Sequence, residues 1–578
     1  MDKQMIYRRR WAILSVLIVG LLAIVIDNTV LNVALKTIAE PHGGLGASQS
    51  QLEWAINSYT LVFAGLLFTF GVIGDRIGRK RMLMIGLALF GIGSLLSAYS
   101  QSPDQLIFAR AAMGFGGAAV MPQTLSIISN VFEPNERPRA IGLWATAVGL
   151  GVAVGPVLGG LLLAHFWWGS VFLINVPVTV AGAIAVAILV PESKNPDPGK
   201  IDYLGVLLSI VGLVLVVYGI VQGGDTGSSL AAGVLGPLFG GLAVLGVFAW
   251  HESRISHPSL DVRLFADHRL SASVGAISLL FFGMGGVYFF TTFYLQNVRG
   301  YSALDAGLLT IPFAVGQLLF APRSAALVQR FGAKAVGAAG MLGMAVALAG
   351  YAVLGTSTPI WVLAVLFAVQ GAGIGVAIPS ATSAVMDVLP RERAGAGSAL
   401  TNTSRQVGVA LGVAVLGSIL AQSYHQTMSP TLASLPAAAR GAAGGSISAT
   451  QAVAARLGPA GHFLLGPAND AFVSAMHVTT LVAAVIALAG ALVVLRWMPG
   501  LSRSAADTSA ADTAATDDTA TAETVPELAP AGVEAAFDVA TEPFDVERHG
   551  SGPYRIDPID ALDVWQENLS ARSPGGER

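Results

Sequence analysis

The chain contains no cysteine and few charged residues, and both absences limit what it can be. Without cysteine it has no disulfides and no thiolate metal ligands, so the composition leaves the redox compartment open. Only 12% of the 578 residues are Asp, Glu, Lys or Arg, against about 25% in soluble proteins. Hydrophobic residues make up 54% and the mean hydropathy is +0.67, which together exclude a water-soluble fold.

Sequence patterns of enzymes are missing as well. The chain has no G-xxxx-GK-[ST] phosphate-binding loop, so we do not expect ATP to be the energy source. Its histidines show neither an HExxH pattern nor another metal-ligand spacing. We therefore expect no metal, no other cofactor and no enzymatic activity.

Apolar stretches recur along the chain at about the 20-residue length that crosses a bilayer. Taking runs bounded by Gly, Pro and charge predicts fourteen transmembrane helices and an all-α polytopic membrane protein. The predicted spans are residues 11–35, 52–73, 82–100, 105–127, 139–164, 170–190, 203–222, 231–250, 270–294, 304–326, 334–355, 360–384, 396–421 and 475–497.

Basic residues occupy every second connection between these spans, with Arg299 as the exception. By the positive-inside rule these loops, and with them both termini, are expected to be cytoplasmic. A basic body is therefore explained by topology and indicates no nucleic-acid partner. The basic groups are Arg8 to Arg10, Arg76 to Arg81, Arg137 and Arg139, Lys194 and Lys200, Arg254 to Arg269, Arg330 and Lys334, and Arg391 and Arg393.

An internal similarity predicts two halves. DRIGRK at Asp75–Lys80 resembles QRFGAK at Gln329–Lys334, and each lies between a second and a third helix. Parallel repeats of this kind build transporters from two six-helix halves. We place the halves at residues 1–200 and 253–500, with two inserted helices at 201–252 between them.

Two long segments are predicted to lie outside the helix bundle. Residues 422–474 are rich in Ala, Gly and Ser, which suggests a loosely ordered extracytoplasmic loop. Residues 501–578 are rich in Ala, Thr, Asp and Glu with few aromatics, a composition typical of disorder, so we expect an acidic cytoplasmic tail.

Asp27 and Arg110 are ionisable groups inside apolar spans, where such residues are costly and functional by default. At 1.5 Å rise per residue, both are expected at similar depth from the outer end. A proton-coupling pair is our main interpretation, and a static salt bridge is the alternative. Glu53 is another acid in the first six spans, and we place it at an outer edge that solvent can reach.

The connection after the second span combines glycines with dense charge. We interpret it as a cytoplasmic gate with breakable ion pairs, while simple topology anchoring would explain its basic residues alone. The residues concerned are Gly71, Asp75, Arg76, Gly78, Arg79 and Lys80.

The fifth span carries closely spaced glycines and a proline, which permit close helix approach and a bend. Both tight packing and a role as a pivot or seal between halves fit this pattern. The residues are Gly142, Gly151, Gly155, Pro156, Gly159 and Gly160.

Other polar groups lie in or at the ends of spans. Most are expected to form interhelical hydrogen bonds, and a minority to contact substrate. For Arg405, backbone carbonyls are the expected partners, and an anionic substrate group is the alternative. The cavity candidates are Asn32, Asn57, Tyr59, Tyr294, Gln296, Gln317, Gln370 and Arg405, with Asn402 and Gln406 in the same class.

Four of these patterns together resemble one family. The 71–80 loop matches the loop signature of the major facilitator superfamily, and the fifth span matches the signature of its antiporters. IDNTVLNVAL at Ile26–Leu35 and the Leu106-Arg110-Gly114 pattern are similar to its drug:proton antiporters. The body up to about residue 500 thus resembles the fourteen-span multidrug exporters.

Three positions depart from that family pattern. Lys36 replaces a proline, Met113 replaces a glutamine, and Trp167 to Gly169 replaces a Trp-Arg-Trp triplet. Lys36 and Met113 lie beside the expected pathway, so we add Met113 to the cavity candidates and expect these two changes to affect substrate range more than mechanism.

The resemblance implies a bacterial inner-membrane protein that exports amphipathic organic compounds in exchange for protons by alternating access. It would act as a monomer in the bilayer, without a cofactor. Two alternatives remain open: a dedicated exporter of one metabolite or antibiotic, and a membrane sensor that recruits a partner through its tail.

Overall fold

The computed structural model describes residues 3–41, 43–133, 136–194, 202–226, 231–255, 261–388 and 394–498. The predicted tail, residues 501–578, lies outside the described residues, and its disorder stays a prediction. The α-helices are α1 Lys3–Ala39, α2 Gln49–Ile77, α3 Arg79–Ala98, α4 Pro103–Val131, α5 Arg137–His165, α6 Ser170–Leu173, α7 Asn175–Leu189, α8 Tyr203–Thr226, α9 Ala232–Glu252, α10 His268–Phe293, α11 Ala303–Leu308, α12 Ile311–Gly350, α13 Ile360–Val388, α14 Ala394–Leu432, α15 Ala437–Gly444, α16 Ile447–Arg456 and α17 Leu465–Trp497.

Thirteen helical stretches within the described ranges are long and apolar enough to cross a membrane. One of them, Ala303–Val353, has 51 residues and is too long for one crossing. Its helical conformation is broken at Gly332, where φ is 81°. Because the chain turns there, this stretch supplies two spans, and the predicted count of fourteen and the all-α polytopic fold are confirmed.

The glycine at this break has a counterpart in the first half. Gly78 lies between α2 and α3 with φ of 120°, and Gly332 lies at the equivalent turn within α12. Both values fall where a side chain is strained, so glycine is needed at each turn. The sequence similarity between 75–80 and 329–334 therefore extends to backbone conformation.

The helices form two packed groups that meet along three seams. In the first group α1 packs on α5 and α2 on α4, and in the second α10 packs on α14 and α12 on α13. The seams are α1 with α10, α2 with α14, and α5 with α11 and α12. We call the end of the bundle that contains Asp75–Arg81 the basic end and the opposite end, which contains Lys36, the outer end.

Helix α8, the first of the two helices predicted to be an insertion, packs on both groups, and α9 packs on α8. Val217 and Val221 of α8 lie in an apolar cluster with Leu61 of α2 and Ala410 of α14. Ser418 of α14 also donates a hydrogen bond to a carbonyl of α8 at 2.9 Å. Helix α8 therefore covers the seam between α2 and α14.

The segment expected to be a loosely ordered loop at 422–474 is helical, so that expectation was wrong. Helix α14 continues to Leu432, α15 and α16 follow, and α17 begins at Leu465. The Tyr424 hydroxyl lies 2.7 Å from the Thr450 hydroxyl, which ties α16 to α14. Alanine is the best helix former, so an alanine-rich segment did not indicate disorder.

Candidate transport site

Asp27 and Arg110 form a buried ion pair near the centre of the first group. Arg110 Nη1 on α4 donates to Asp27 Oδ2 on α1 at 2.5 Å, and both side chains are at most 2% exposed. Asn175 Nδ2 on α7 donates to the other carboxylate oxygen at 3.1 Å. Arg110 Nε donates to the Ala55 carbonyl on α2 at 3.2 Å. The pair and its two further hydrogen bonds therefore join four helices, α1, α2, α4 and α7.

An aromatic and a thioether side chain surround the guanidinium of Arg110. The Tyr59 ring lies 4.4 Å from the guanidinium carbon, within cation–π range. The Tyr59 hydroxyl accepts a hydrogen bond from Asn28 at 3.1 Å. The Met113 sulfur lies 3.7 Å from Arg110 Nη1 and accepts from Ser97 at 3.3 Å. Tyr59 and Met113 thus support the ion pair, and their predicted contact with substrate stays a prediction.

A cavity of about 120 Å³ lies beside this pair, between the two groups of helices. Helices α1, α2, α4, α5, α10 and α14 contribute to its wall, which is mainly aliphatic and aromatic. Drug-sized ligands occupy pockets of roughly 300–1,000 Å³. The groups must therefore separate before such a compound can enter. The polar lining residues are Asn28, Thr29, Asn32, Thr60, Arg110, Tyr288, Arg405 and Gln406.

Arg405 enters this cavity from α14, on the second group. Its guanidinium carbon lies 5.5 Å from the centre of the Phe281 ring. Backbone carbonyl oxygens were the expected partners of Arg405. Among the described residues, the contact seen for its guanidinium is with the face of the Phe281 ring.

The other predicted cavity residues lie away from the lining. Tyr294 donates to the Gly355 carbonyl at 2.8 Å, and Gln370 accepts from Tyr351 at 2.9 Å. Gln317 lies half-buried on α12. Asn57 is fully buried, and its side-chain amide has no hydrogen-bond partner among the described residues. Asn32, Arg405 and Gln406 are the predicted candidates that line the cavity, and substrate contact stays a prediction for all of them.

The outer end of the seam between α1 and α10 is held by two hydrogen bonds. Gln296 Nε2 donates to the Val33 carbonyl at 2.9 Å, and Lys36 Nζ donates to the Gln296 carbonyl at 3.0 Å. Gln296 belongs to a π-helical segment, Tyr294–Val298, a rare form that is frequent at functional sites. Lys36 was noted only as a departure from the family pattern, and its donor role required the structure.

Nearby, the seam between α2 and α14 contains Glu53, which was expected at a solvent-accessible edge. That expectation was wrong, because Glu53 is 2% exposed. Gln49 Nε2 lies 3.3 Å from its carboxylate and also donates to the Gly417 carbonyl of α14 at 3.0 Å. The contact with α14 shields this part of α2, which a span boundary alone could not show.

The glycines of α5 face two different neighbours. A Cβ added at Gly151 or Gly159 would lie within 3 Å of Val25 or Val30 on α1, and one added at Gly155 would collide with Thr29. At Gly160 the added Cβ would lie 2.6 Å from the Ala303 carbonyl oxygen of α11, across the seam.

Helix α5 also lies close to Gly307 of α11. A Cβ added at Gly307 of α11 would meet the Pro156 carbonyl, whereas one added at Gly142 would meet nothing within 4 Å. Helix α5 therefore packs tightly on α1 and meets α11 of the second group near Pro156 and Gly160.

The predicted gate loop is fastened to the end of α7 at the basic end. Asp75 accepts from Arg79 at 2.7 Å, and Arg79 Nη1 donates to the Ser126 carbonyl at 3.3 Å. Glu192 accepts from the Lys80 amide at 3.2 Å and lies 3.6 Å from Arg81. Glu192 was missed because it is far from this loop in sequence.

Further contacts of the loop, and a separate ion pair between α1 and Glu136, also lie at the basic end. Lys80 Nζ donates to the Ala187 carbonyl at 2.7 Å, and Gly71 packs near Pro122 of α4. Arg76 lies in the last turn of α2. The hydrogen bond from Arg10 on α1 to Glu136, at 2.8 Å, holds the pKa of Glu136 below its usual value.

The fold and the cavity between two groups of membrane-spanning helices define a multi-pass membrane transporter. The family model of the Major Facilitator Superfamily matches residues 17–413, and the chain belongs to this superfamily. It is thus a transporter of small molecules and not an enzyme.

The similarity to known relatives covers most of the chain. It is 36% identical to the multidrug efflux pump LfrA of Mycolicibacterium smegmatis, covering 84% of this chain and 96% of the relative. It is 34% identical to the methyl viologen resistance protein SmvA of Salmonella typhimurium, covering 73% and 84%. The tetracenomycin C resistance and export protein of Streptomyces glaucescens is 31% identical, covering 72% and 76%.

A solved structure has the same fold. A bacterial homologue of the human lysosomal transporter Spinster matches with a TM-score of 0.60 at 19% identity, covering 85% of this chain and 99% of that one. At this identity the likeness establishes the fold alone.

Proposed function

We propose that the protein exports amphipathic organic compounds in exchange for protons by alternating access. The observation that carries this proposal is the Asp27–Arg110 ion pair, buried at the wall of a mainly apolar cavity between the two halves. Apolar walls discriminate weakly between compounds, which favours a broad substrate range. Relatives named for multidrug efflux and for tetracenomycin C export support the same function.

The ion pair offers a site where a proton changes helix contacts. A proton on Asp27 removes the charge that Arg110 neutralises, and the bond between α1 and α4 weakens. Because Asn175 and Ala55 bind the same two side chains, α2 and α7 respond as well. Loading and release of one proton can thus bias the packing of four helices between two arrangements.

The basic end is proposed to face the cytoplasm, as the positive-inside rule predicts. The hydrogen bonds of Lys36 and Gln296 then close the extracytoplasmic side of the cavity. Alternating access requires these bonds to break when the outer end opens. The protein is proposed to work as a monomer in the lipid bilayer. The proton gradient drives transport, and no cofactor takes part.

Dye efflux from everted membrane vesicles tests this function. Vesicles that contain the full chain should accumulate an amphipathic fluorescent dye when a pH gradient is applied and lose it when the gradient is collapsed. Accumulation that persists without the gradient, or that requires ATP, would contradict proton-coupled export.

A dedicated exporter of one compound remains the second candidate. The export protein for tetracenomycin C and a probable actinorhodin transporter are both relatives of this chain. A panel of structurally unrelated dyes and antibiotics separates the two functions, because a dedicated exporter would transport one chemical scaffold only.

Replacing Lys36 with Met should expose the cavity from the outer end. The thioether cannot donate to the Gln296 carbonyl, so a closing contact is lost. Since the chain has no cysteine, Thr60→Cys provides a unique thiol in the cavity lining. In this background, a membrane-impermeant maleimide added from the outside should label the new thiol severalfold faster in Lys36→Met than in the parent. Lys36→Arg keeps a donor and should label like the parent, and equal labelling of all three would exclude this closing role.

Replacing Asp75 with Asn should slow turnover and leave substrate affinity nearly unchanged. The substitution removes the charge that pairs with Arg79 at the basic end, away from the cavity lining. Initial efflux rates against dye concentration measure both quantities. Asp104→Asn, an acid at the start of α4, is the control and should change neither. An equal loss of affinity in Asp75→Asn would place Asp75 in the binding site.

A further inference from the structure

The central cavity has an excess of positive charge that the proposed transport cycle does not use. Among the described residues, its charged lining side chains are Arg110 and Arg405. Asp27 neutralises Arg110 through the ion pair, and Asp27 itself is fully buried behind the lining. No Asp or Glu in the described part of the chain forms an ion pair with Arg405.

An arginine at this depth without a counter-ion is costly to keep charged. The Phe281 ring attracts the cation, but it does not supply acceptors for the five N–H donors of the guanidinium. Carboxylates and other anionic oxygens match the planar donor array of arginine, often through two parallel hydrogen bonds. A cation in this position thus fits an anionic group that arrives from outside the chain.

Resting on the proposed export function, we propose that Arg405 binds the carboxylate or phenolate oxygen of the exported compound. The cavity then selects amphipathic anions and zwitterions over compounds with only a permanent positive charge. The apolar body of the compound packs on side chains such as Ile24 and Phe63, which line the same cavity. Gln406, the next residue on α14, supplies an adjacent amide in the lining.

The cavity keeps a net positive charge whether or not Asp27 carries a proton. With Asp27 ionised, the three groups leave one positive charge, and with Asp27 protonated they leave two. An anionic compound is therefore attracted in both states. For such a compound, coupling to the proton must come from the change of conformation and not from charge repulsion within the cavity.

A matched pair of dyes tests this preference. Rhodamine B carries a free carboxylate, and its ethyl ester has the same ring system with a net positive charge. Fluorescence polarisation with the purified full chain should show that the acid binds about tenfold more tightly than the ester, a difference of about 1.4 kcal/mol. Arg405→Gln should remove this difference by weakening binding of the acid about tenfold, with little change for the ester. Arg405→Lys keeps the charge and should retain part of the preference.

Arg323→Gln is the matched control, since it makes the same change at an exposed arginine of α12 outside the cavity lining. It should leave the ratio of the two affinities unchanged. If Arg405→Gln does not fold, the ratio of acid affinity to ester affinity is compared between the wild type and Arg405→Lys, and this comparison tests the inference.

Two results would overturn the inference: ester binding as tight as acid binding in the wild type, or an equal loss for both dyes in Arg405→Gln. The proposed function is tested separately in vesicles with the same dyes. Gradient-driven transport of both dyes without preference would leave the export function standing and remove the role of Arg405. Transport of neither dye would contradict the export function for this class of compound.

Discussion

Asp27→Asn is expected to abolish gradient-driven efflux while substrate still binds. The amide has nearly the size of the carboxyl group and resembles its protonated form, but it cannot load and release a proton. Because Asp27 is the acid bound to Arg110 and Asn175, no other group can take over at this position. The initial rate of dye accumulation in everted vesicles should fall on the order of 100-fold. Typical coupling free energies correspond to factors of about 5 to 150, and this loss lies near their upper end.

Binding to the purified variant, measured by fluorescence polarisation, should stay within about threefold of the wild type, because Asp27 lies behind the cavity lining. Asp27→Glu keeps a titratable carboxyl and should retain part of the coupled efflux. The removal of a buried charge partner destabilises proteins, so thermal stability is measured in parallel. Undiminished gradient-driven efflux in Asp27→Asn would leave the pair as a static salt bridge.

The Asp27–Arg110 contact shows what a sequence can predict in a membrane protein. Ionisable residues are rare in apolar spans, so each one is conspicuous. The fixed rise of a helix gives its depth, and two opposite charges at similar depth are natural partners. The same argument did not identify Asn175, a polar residue in an apolar stretch. Neutral amides are common in spans, and their partners depend on how the helices pack.

Contacts between the halves could not be predicted from the sequence, for a related reason. Lys36 and Gln296 are 260 positions apart, and their bond depends on how two helix groups meet. The burial of Glu53 against α14 depends on the same meeting. By contrast, Gly78 and Gly332 were found as a repeat, because a turn that requires positive φ restricts the residue type locally.

Gly160→Leu is expected to prevent closure of the outer end. The new Cβ would lie 2.6 Å from the Ala303 carbonyl oxygen and equally close to Leu304 Cα. Both are backbone atoms of α11 and cannot rotate away, so α5 and α11 must separate. Efflux should fall about tenfold or more, the size of effect expected when more than about 1.4 kcal/mol of closure energy is lost.

Gly142→Leu is the matched control for this substitution. It places the same side chain on the same helix, where an added Cβ meets nothing within 4 Å, so efflux should stay close to wild type. Two readouts separate a defect in closure from misfolding. The cysteine of Thr60→Cys should react faster with an impermeant maleimide from the outside in Gly160→Leu, and the amount of protein in the membrane should stay the same. If both glycine variants lose efflux equally, the cause is bulk on α5 in general, and the contact with α11 has no special part in closing the outer end.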